Sequence, residues 1–143
     1  MFKIKKKKQV FLGLMALLCF ISFSTSASAA TFGPYAVISY KKNEYDGVMV
    51  HLGSGVNKIQ VDVKQWGIHA NEKADIYWSV SYSGSSERKT YRVNGDVISK
   101  AKTLTFDNLK VKGGSYNLSW LSNTNNDMRG SYKVRISSGQ VMK

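Results

Sequence analysis

The sequence predicts an all-β protein: a single antiparallel β-sandwich of about eight short strands, preceded by a cleaved signal peptide. Apolar and polar residues alternate with a period of two over most of the chain after residue 30, and no stretch has the period of an amphipathic helix. Segments rich in Gly, Asn and Ser separate the alternating stretches, as turns do. Short strands with one apolar face assemble as two packed sheets, so a β-sandwich is favoured and a small β-barrel is the alternative architecture.

The alternating stretches give the order of the predicted strands. They lie around residues 35–40, 48–52, 59–63, 76–82, 90–93, 104–111, 116–120 and 132–136. Leu109 and Val111 continue the alternation and are therefore placed in a strand. Asn94–Gly95 favours a two-residue type I′ hairpin turn, because both residue types tolerate positive φ. Pro34 is expected just before the first strand, where its missing N–H removes no ladder hydrogen bond.

The alternation also separates aromatic residues of the core from one candidate for binding. The aromatic residues that share the apolar parity of their strands are expected in the core, and they are Trp78, Trp120, Tyr82, Tyr116 and Tyr132. Trp66 instead shares its parity with the polar residues of its strand, so it lies either on the surface or in the turn that follows. An exposed tryptophan stacks on sugar rings or nucleobases, and the alternative is a side chain folded over a sheet edge.

Residues 1–30 have the pattern of a secretory signal peptide: a lysine-rich start, an apolar middle and a tail of small residues. The apolar run from Val10 to Ile21 has 12 residues, which is fewer than the roughly 18 needed to span a membrane. Cleavage after Ala29 or Ala30 would leave a domain of residues 31–143, which we expect to be extracellular, either free or associated with the cell wall.

The expected domain is basic and contains no cysteine. The single cysteine, Cys19, and five of the 21 basic residues belong to the leader, so residues 31–143 carry 16 basic and nine acidic residues, a formal charge of +7. A lysine-rich leader and a cysteine-free domain resemble secreted proteins of Gram-positive bacteria. A basic surface outside the cell attracts anionic wall polymers, acidic lipids and other polyanions, while the alternative is that the charge only maintains solubility.

Four basic residues occupy outward positions on predicted strands: Arg88, Arg92, Lys133 and Arg135. If their strands are neighbours, these residues form a basic stripe that can bind a polyanion, with Trp66 as a stacking residue. The alternative is a solvated sheet face whose charges discourage aggregation at the edges.

The sequence has no motif of a known catalytic, metal or phosphate site. His51 and His69 are the only histidines, and a site combining them with Asp62 or Glu72 is disfavoured, because a lone outward histidine is usually solvated. The loop at 123–127 has one carboxylate, which is few for calcium. We therefore expect no metal, no cofactor and no catalytic residue, and no motif indicates sequence-specific nucleic-acid binding.

Two classes of function are consistent with these patterns. The first is a secreted, non-enzymatic binding protein of the bacterial cell surface or extracellular matrix, which associates with anionic or glycan polymers through a basic sheet face. The second is a secreted protein-binding factor, such as an antimicrobial protein or an inhibitor of an extracellular enzyme. Salt separates the two classes, because polyanion binding weakens steeply with salt and an aromatic protein interface much less.

Overall fold

The computed structural model describes residues 29–39, 46–124 and 126–142, so the predicted signal peptide lies almost entirely outside the described residues. Within these ranges the protein consists of nine β-strands and no helix. The strands are β1 Ala30–Ser39, β2 Asp46–Leu52, β3 Ile59–Gly67, β4 Asp75–Tyr82, β5 Arg88–Asn94, β6 Val97–Phe106, β7 Gly114–Ser122, β8 Met128–Ile136 and β9 Gly139–Met142.

The strands form two antiparallel sheets. The four-stranded sheet has the order β1-β8-β3-β6, and the five-stranded sheet has the order β5-β4-β7-β2-β9. Aromatic rings join the two sheets through the core: Tyr132 of β8 lies 5.0 Å from Trp120 of β7 and 5.8 Å from Trp78 of β4, between ring centroids. The arrangement is consistent with a β-sandwich.

The predicted aromatic core is confirmed. Trp78, Trp120, Tyr116 and Tyr132 are each at most 2% exposed, and the half-buried Tyr82 packs on Tyr116 with 5.3 Å between ring centroids. The alternation in the sequence therefore identified the buried side of the central strands.

Three predictions of local structure are wrong. Leu109 and Val111 lie in the loop between β6 and β7, although Leu109 is buried and its N–H donates to the carbonyl of Asn57 at 3.0 Å. An apolar side chain can thus enter the core from a loop. β6 begins at Val97, well before the predicted start, and β9 was not predicted. Pro34 lies inside β1, at a register shift next to Tyr35, and is tolerated there because β1 is an edge strand.

Asn94–Gly95 does not form a hairpin. It connects β5 at the edge of one sheet with β6 at the edge of the other, so the two flanking strands are not paired. Gly95 has a φ of +93° while Asn94 lies outside the left-handed region, whereas a type I′ turn needs positive φ at both positions. The N–H of Gly95 donates to the carbonyl of Ala74 at 2.7 Å, which fixes this corner between the sheets.

One inward position of β3 holds a glutamine, and its amide supports the same corner. Gln65 is fully buried, and its Nε2 donates to the carbonyls of Val93 and Gly95 at 2.7 and 3.0 Å. Its Oε1 accepts a hydrogen bond from Nε1 of Trp78 at 3.3 Å. The polar side chain is tolerated in the core because its donors and its acceptor are all engaged.

Candidate binding surface

The outer side of the four-stranded sheet carries a row of basic residues on its central strands. Its two central strands, β3 and β8, pair without a register shift, and their buried and outward residues alternate strictly. We call the outward charged and aromatic residues of these strands the basic face: Asp62, Lys64 and Trp66 of β3, and Arg129, Lys133 and Arg135 of β8.

The pairing of β3 with β8 divides the basic face into four levels along β8, and each level is one pair of directly opposed outward residues. At the first level Arg135 lies opposite Gln60, and at the second Lys133 lies opposite Asp62. The partners of both cations are thus uncharged or acidic, so neither level contains two like charges. Directly opposed like charges would destabilise the sheet, which explains this distribution.

The next two levels continue the same pattern. At the third level Lys64 lies opposite Ser131, and at the fourth Arg129 lies opposite Trp66. Each of the four levels therefore holds one cation, three contributed by β8 and one by β3. Trp66 lies in β3 rather than in the following turn, and its side chain is half-buried.

Asp62 is the acidic residue of this surface and is paired with one of its cations. Its Oδ1 accepts hydrogen bonds from Nη2 of Arg135 at 2.8 Å and from the hydroxyl of Thr103 at 2.6 Å. Burial opposes ionisation, but these hydrogen bonds and the charges of Arg135 and Lys133 outweigh it and hold the pKa of Asp62 below its ordinary value. Asp62 is therefore ionised at neutral pH.

The other three cations are available to a ligand. No ion pair within the described ranges involves Lys64, Arg129 or Lys133. A depression of about 170 Å³ is lined by Lys64 and Lys133 together with Asp62 and Ser131. Pro34 of β1 and Ala101 of β6 also line it. The surface thus combines free ammonium groups with a small recess that contains hydrogen-bond acceptors.

The other two predicted basic residues lie on the opposite outer side of the molecule. Arg88 and Arg92 belong to β5 at the edge of the five-stranded sheet, whereas Lys133 and Arg135 belong to β8 in the four-stranded sheet. The structure therefore brings Lys133, Arg135 and Trp66 together and separates Arg88 and Arg92 from them. The strands that had to be neighbours for one continuous stripe are in different sheets.

Arg92 has a structural contact of its own. Its guanidinium pairs with both carboxylate oxygens of Asp75, at 3.0 and 2.8 Å, and lies 5.8 Å from the ring centroid of Tyr77. The hydrogen bond from Arg92, aided by one from Asn123, outweighs the effect of burial and lowers the pKa of Asp75. Arg88 donates to the hydroxyl of Ser79 at 3.2 Å.

The two histidines do not join in a site. Nδ1 of His51 hydrogen-bonds to the hydroxyl of Ser115 at 2.5 Å on the five-stranded sheet, while His69 lies in the loop between β3 and β4. The residues that the structure describes contain no group of three or more His, Cys, Asp or Glu side chains that could hold a metal ion. No helix in the same ranges is long and apolar enough to cross a membrane.

Two cations of the basic face were not predicted from the sequence. Lys64 has the outward parity of β3, and that parity alone could have identified it. Arg129 was not predicted as a strand residue, because the sequence 123–130 is rich in turn-forming residues and β8 was expected to start after Met128. Only the pairing of β3 with β8 places these residues beside Lys133 and Arg135.

No protein-family model matches the chain, and no curated protein matches it in sequence. Among solved structures, it is similar to a family two carbohydrate esterase from Cellvibrio japonicus, with a TM-score of 0.45 and 8% identity over 78% of this chain and 34% of that chain. A Yersinia pseudotuberculosis-derived mitogen gives a TM-score of 0.42 and 15% identity, over 76% of this chain and 84% of that chain.

A third similar structure is that of the N-terminal endo-1,4-beta-D-xylanase 10B from Clostridium thermocellum, whose CBM22-1 and GH10 modules were crystallised with xylohexaose. It has a TM-score of 0.41 and 16% identity, over 80% of this chain and 27% of that chain. This chain spans about a third of the esterase and about a quarter of the xylanase. At these identities and TM-scores the similarity does not extend to function.

Proposed function

We propose that the protein is a secreted, non-enzymatic binding protein of the bacterial cell surface or extracellular matrix, and that its basic face binds an anionic or glycan polymer. The observation that carries the proposal is the presence of one cation at each level of the β3 and β8 pair, with Trp66 at the end. An extended row of charges favours an extended ligand over a small molecule.

Electrostatics supports a polymer as the ligand. Lys64, Arg129 and Lys133 have no ion pair in the described part of the chain, so a bound anion would not have to displace an internal partner. Each lysine or arginine near an anionic surface contributes on the order of 1 kcal/mol at moderate salt. Several such contacts together give useful affinity, and they weaken as salt screens them.

Secretion is part of the proposal and is supported by the leader pattern of residues 1–30. Arg88 and Arg92 are left out of the proposed surface because they lie on the other sheet.

Retention of the purified protein on cell-envelope fractions tests the proposal. The double variant Lys64→Glu with Arg129→Glu should lose most of its retention at low salt. Its urea midpoint should stay nearly unchanged, because both residues lie opposite uncharged partners and substitutions at unpaired outward positions usually alter stability by less than about 0.5 kcal/mol. A matched control is Lys110→Glu with Lys112→Glu. This control makes the same charge change in the loop after β6. The backbone N–H of Lys110 donates to the carboxylate of Glu87, which directly precedes β5 of the five-stranded sheet.

Two outcomes would contradict the proposal. Retention that survives reversal of the basic face would exclude this surface as the binding site. Retention that is insensitive to salt and lost only in Trp66→Ala would exclude the row of cations as the binding determinant, because an aromatic contact is not screened by ions.

A further inference from the structure

We infer that the ligand of the basic face is a linear polyol phosphate: a chain of three-carbon alcohol units joined by phosphodiesters and laid along β8. This inference rests on the proposed function and specifies the chemistry of the polymer. It follows from the spacing of the four cations, the carboxylate beside them and the distribution of aromatic side chains.

The spacing of the cations is set by strand geometry. Side chains two residues apart on a strand point to the same side and are separated by about 6.7 Å. Arg129, Lys133 and Arg135 occupy three of the four levels on β8, and Lys64 fills the remaining level from β3. The face therefore presents one cationic side chain about every 7 Å along roughly 20 Å of strand. Three of these side chains have no ion pair among the described residues, and the fourth, Arg135 at one end, is paired with Asp62.

This repeat matches a phosphodiester with a three-carbon spacer. An extended peptide advances about 3.5 Å over its three backbone bonds, so a repeat of roughly six bonds, as in phosphate–O–C–C–C–O–phosphate, advances about 7 Å. Inorganic polyphosphate places its charges much closer together than this. A polysaccharide with a carboxylate on every second ring places them farther apart.

The recess on this face bears on what accompanies the phosphates. Its lining includes Lys64 and Lys133 together with Asp62, which lies level with Lys133, and Ser131, which lies level with Lys64. A carboxylate repels a phosphate and accepts a hydrogen bond from a hydroxyl. A chain that carries hydroxylated carbons as well as phosphates therefore fits a recess lined by both cations and a carboxylate better than a chain with phosphates alone.

The same face argues against single-stranded nucleic acid, whose backbone has a similar repeat. Proteins that bind single strands supply aromatic side chains on which successive bases stack. Trp66 is the one aromatic side chain among the outward positions of β3 and β8. The other levels offer no stacking platform, so bases would stay unbound along most of the face.

Titration calorimetry with synthetic probes tests the inference. The first probe is oligo(glycerol phosphate) of roughly two, four and six repeats, and the second has the same number of phosphates joined by a six-carbon diol. A single-stranded oligodeoxynucleotide of equal charge is the third. We expect affinity for the first probe to rise steeply up to about four phosphates, and to exceed that for the other two by about tenfold.

Variants connect the binding to the face. Lys64→Gln and Lys133→Gln should each lower the affinity for the four-repeat probe about fivefold at low salt. Each should also reduce the slope of log affinity against log salt by about 0.7. Lys110→Gln with Lys112→Gln should leave both quantities unchanged. Circular dichroism checks that each variant is folded.

The outcomes separate the inference from the proposed function. Equal binding of the three-carbon and six-carbon probes, with loss of both in Lys64→Gln, would overturn the spacing argument and leave the basic face as a general polyanion site. Tighter binding of the oligodeoxynucleotide would overturn the inference in favour of nucleic acid. An absence of binding by all three probes, together with unaltered envelope retention in the charge-reversed variant, would overturn both.

Discussion

Nε1 of Trp78 donates a hydrogen bond of 3.3 Å to Oε1 of Gln65, from the five-stranded sheet to the four-stranded sheet. The other end of the same amide donates to the carbonyls of Val93 and Gly95. One buried side chain thus ties β3 to β4 and to the corner at which the chain passes from one sheet to the other.

Replacing Gln65 with leucine should destabilise the protein by about 3 kcal/mol. The variant keeps a side chain of similar size, but it leaves the buried N–H of Trp78 without a partner, which costs about 1–3 kcal/mol, and it removes the side-chain hydrogen bonds to the carbonyls of Val93 and Gly95. Urea unfolding measures the loss. Gln60→Leu, on the outer side of the same strand, is the control and should change stability by less than about 0.5 kcal/mol. Equal losses in both variants would contradict the assigned role of the amide.

Replacing either core tryptophan with alanine should cost roughly 3–5 kcal/mol, as large-to-small changes in a core do. Trp78 and Trp120 are at most 2% exposed, and their rings lie 5.5 Å apart between centroids. Urea melts of the two single variants provide the measurement. A loss below about 1 kcal/mol in both would mean that the inward side of β4 and β7 is wrongly assigned.

Stability should decrease as the solution becomes acidic, and Asp75 should account for part of the decrease. Arg92 and Asn123 hold the pKa of Asp75 below its ordinary value of 3.8, so the unfolded chain takes up a proton before the folded one does. The stabilisation is complete above the unfolded-state pKa and disappears as the pH falls through the lower folded-state value. Asp75→Asn should be less stable at neutral pH and should lose less on acidification from about pH 5 to about pH 2. Urea midpoints across this pH range measure the difference between the variant and the unsubstituted protein. An equal pH dependence of stability in the two proteins would contradict the assigned role of Asp75.

The secreted protein should begin at Ala30 or Thr31. The small-residue tail of the leader supports this prediction. The structure is compatible with it, because β1 begins at Ala30 and either cleavage would leave at least nine of the ten residues of β1 in place. Intact-mass measurement of culture supernatant gives the terminus. A full-length species retained in the membrane would refute the signal-peptide assignment.

Much of the fold follows from local pattern. The alternation predicted the core side of β4, β7 and β8 correctly, because a strand that is buried on one side must alternate, whatever its neighbours are. The extra strand β9 escaped prediction because its four residues are mostly exposed and carry little alternation.

Strand order could not be predicted, and the site depends on it. Parity correctly placed Arg88 and Lys133 on outer sides, but it does not say to which sheet a strand belongs. Asn94–Gly95 shows the same limit, since a turn-forming pair can equally end a strand at a corner between sheets. Lys64 joins the basic face only because β3 pairs with β8.

The pairing of β1 with β8 governs when the molecule can fold. Ala30 pairs with Ile136, and more than 80 residues separate the end of β1 from the start of its partner. At a synthesis rate of about 5–20 residues per second, β8 is made several seconds after β1. β8 also lies between β1 and β3 in the sheet, so β1 has no partner strand in this sheet before then. The four-stranded sheet therefore forms only after nearly the whole chain has been made, and such long-range pairing takes milliseconds to seconds. Until its last strands emerge, the growing chain consequently lacks a complete four-stranded sheet and stays accessible to proteases and chaperones.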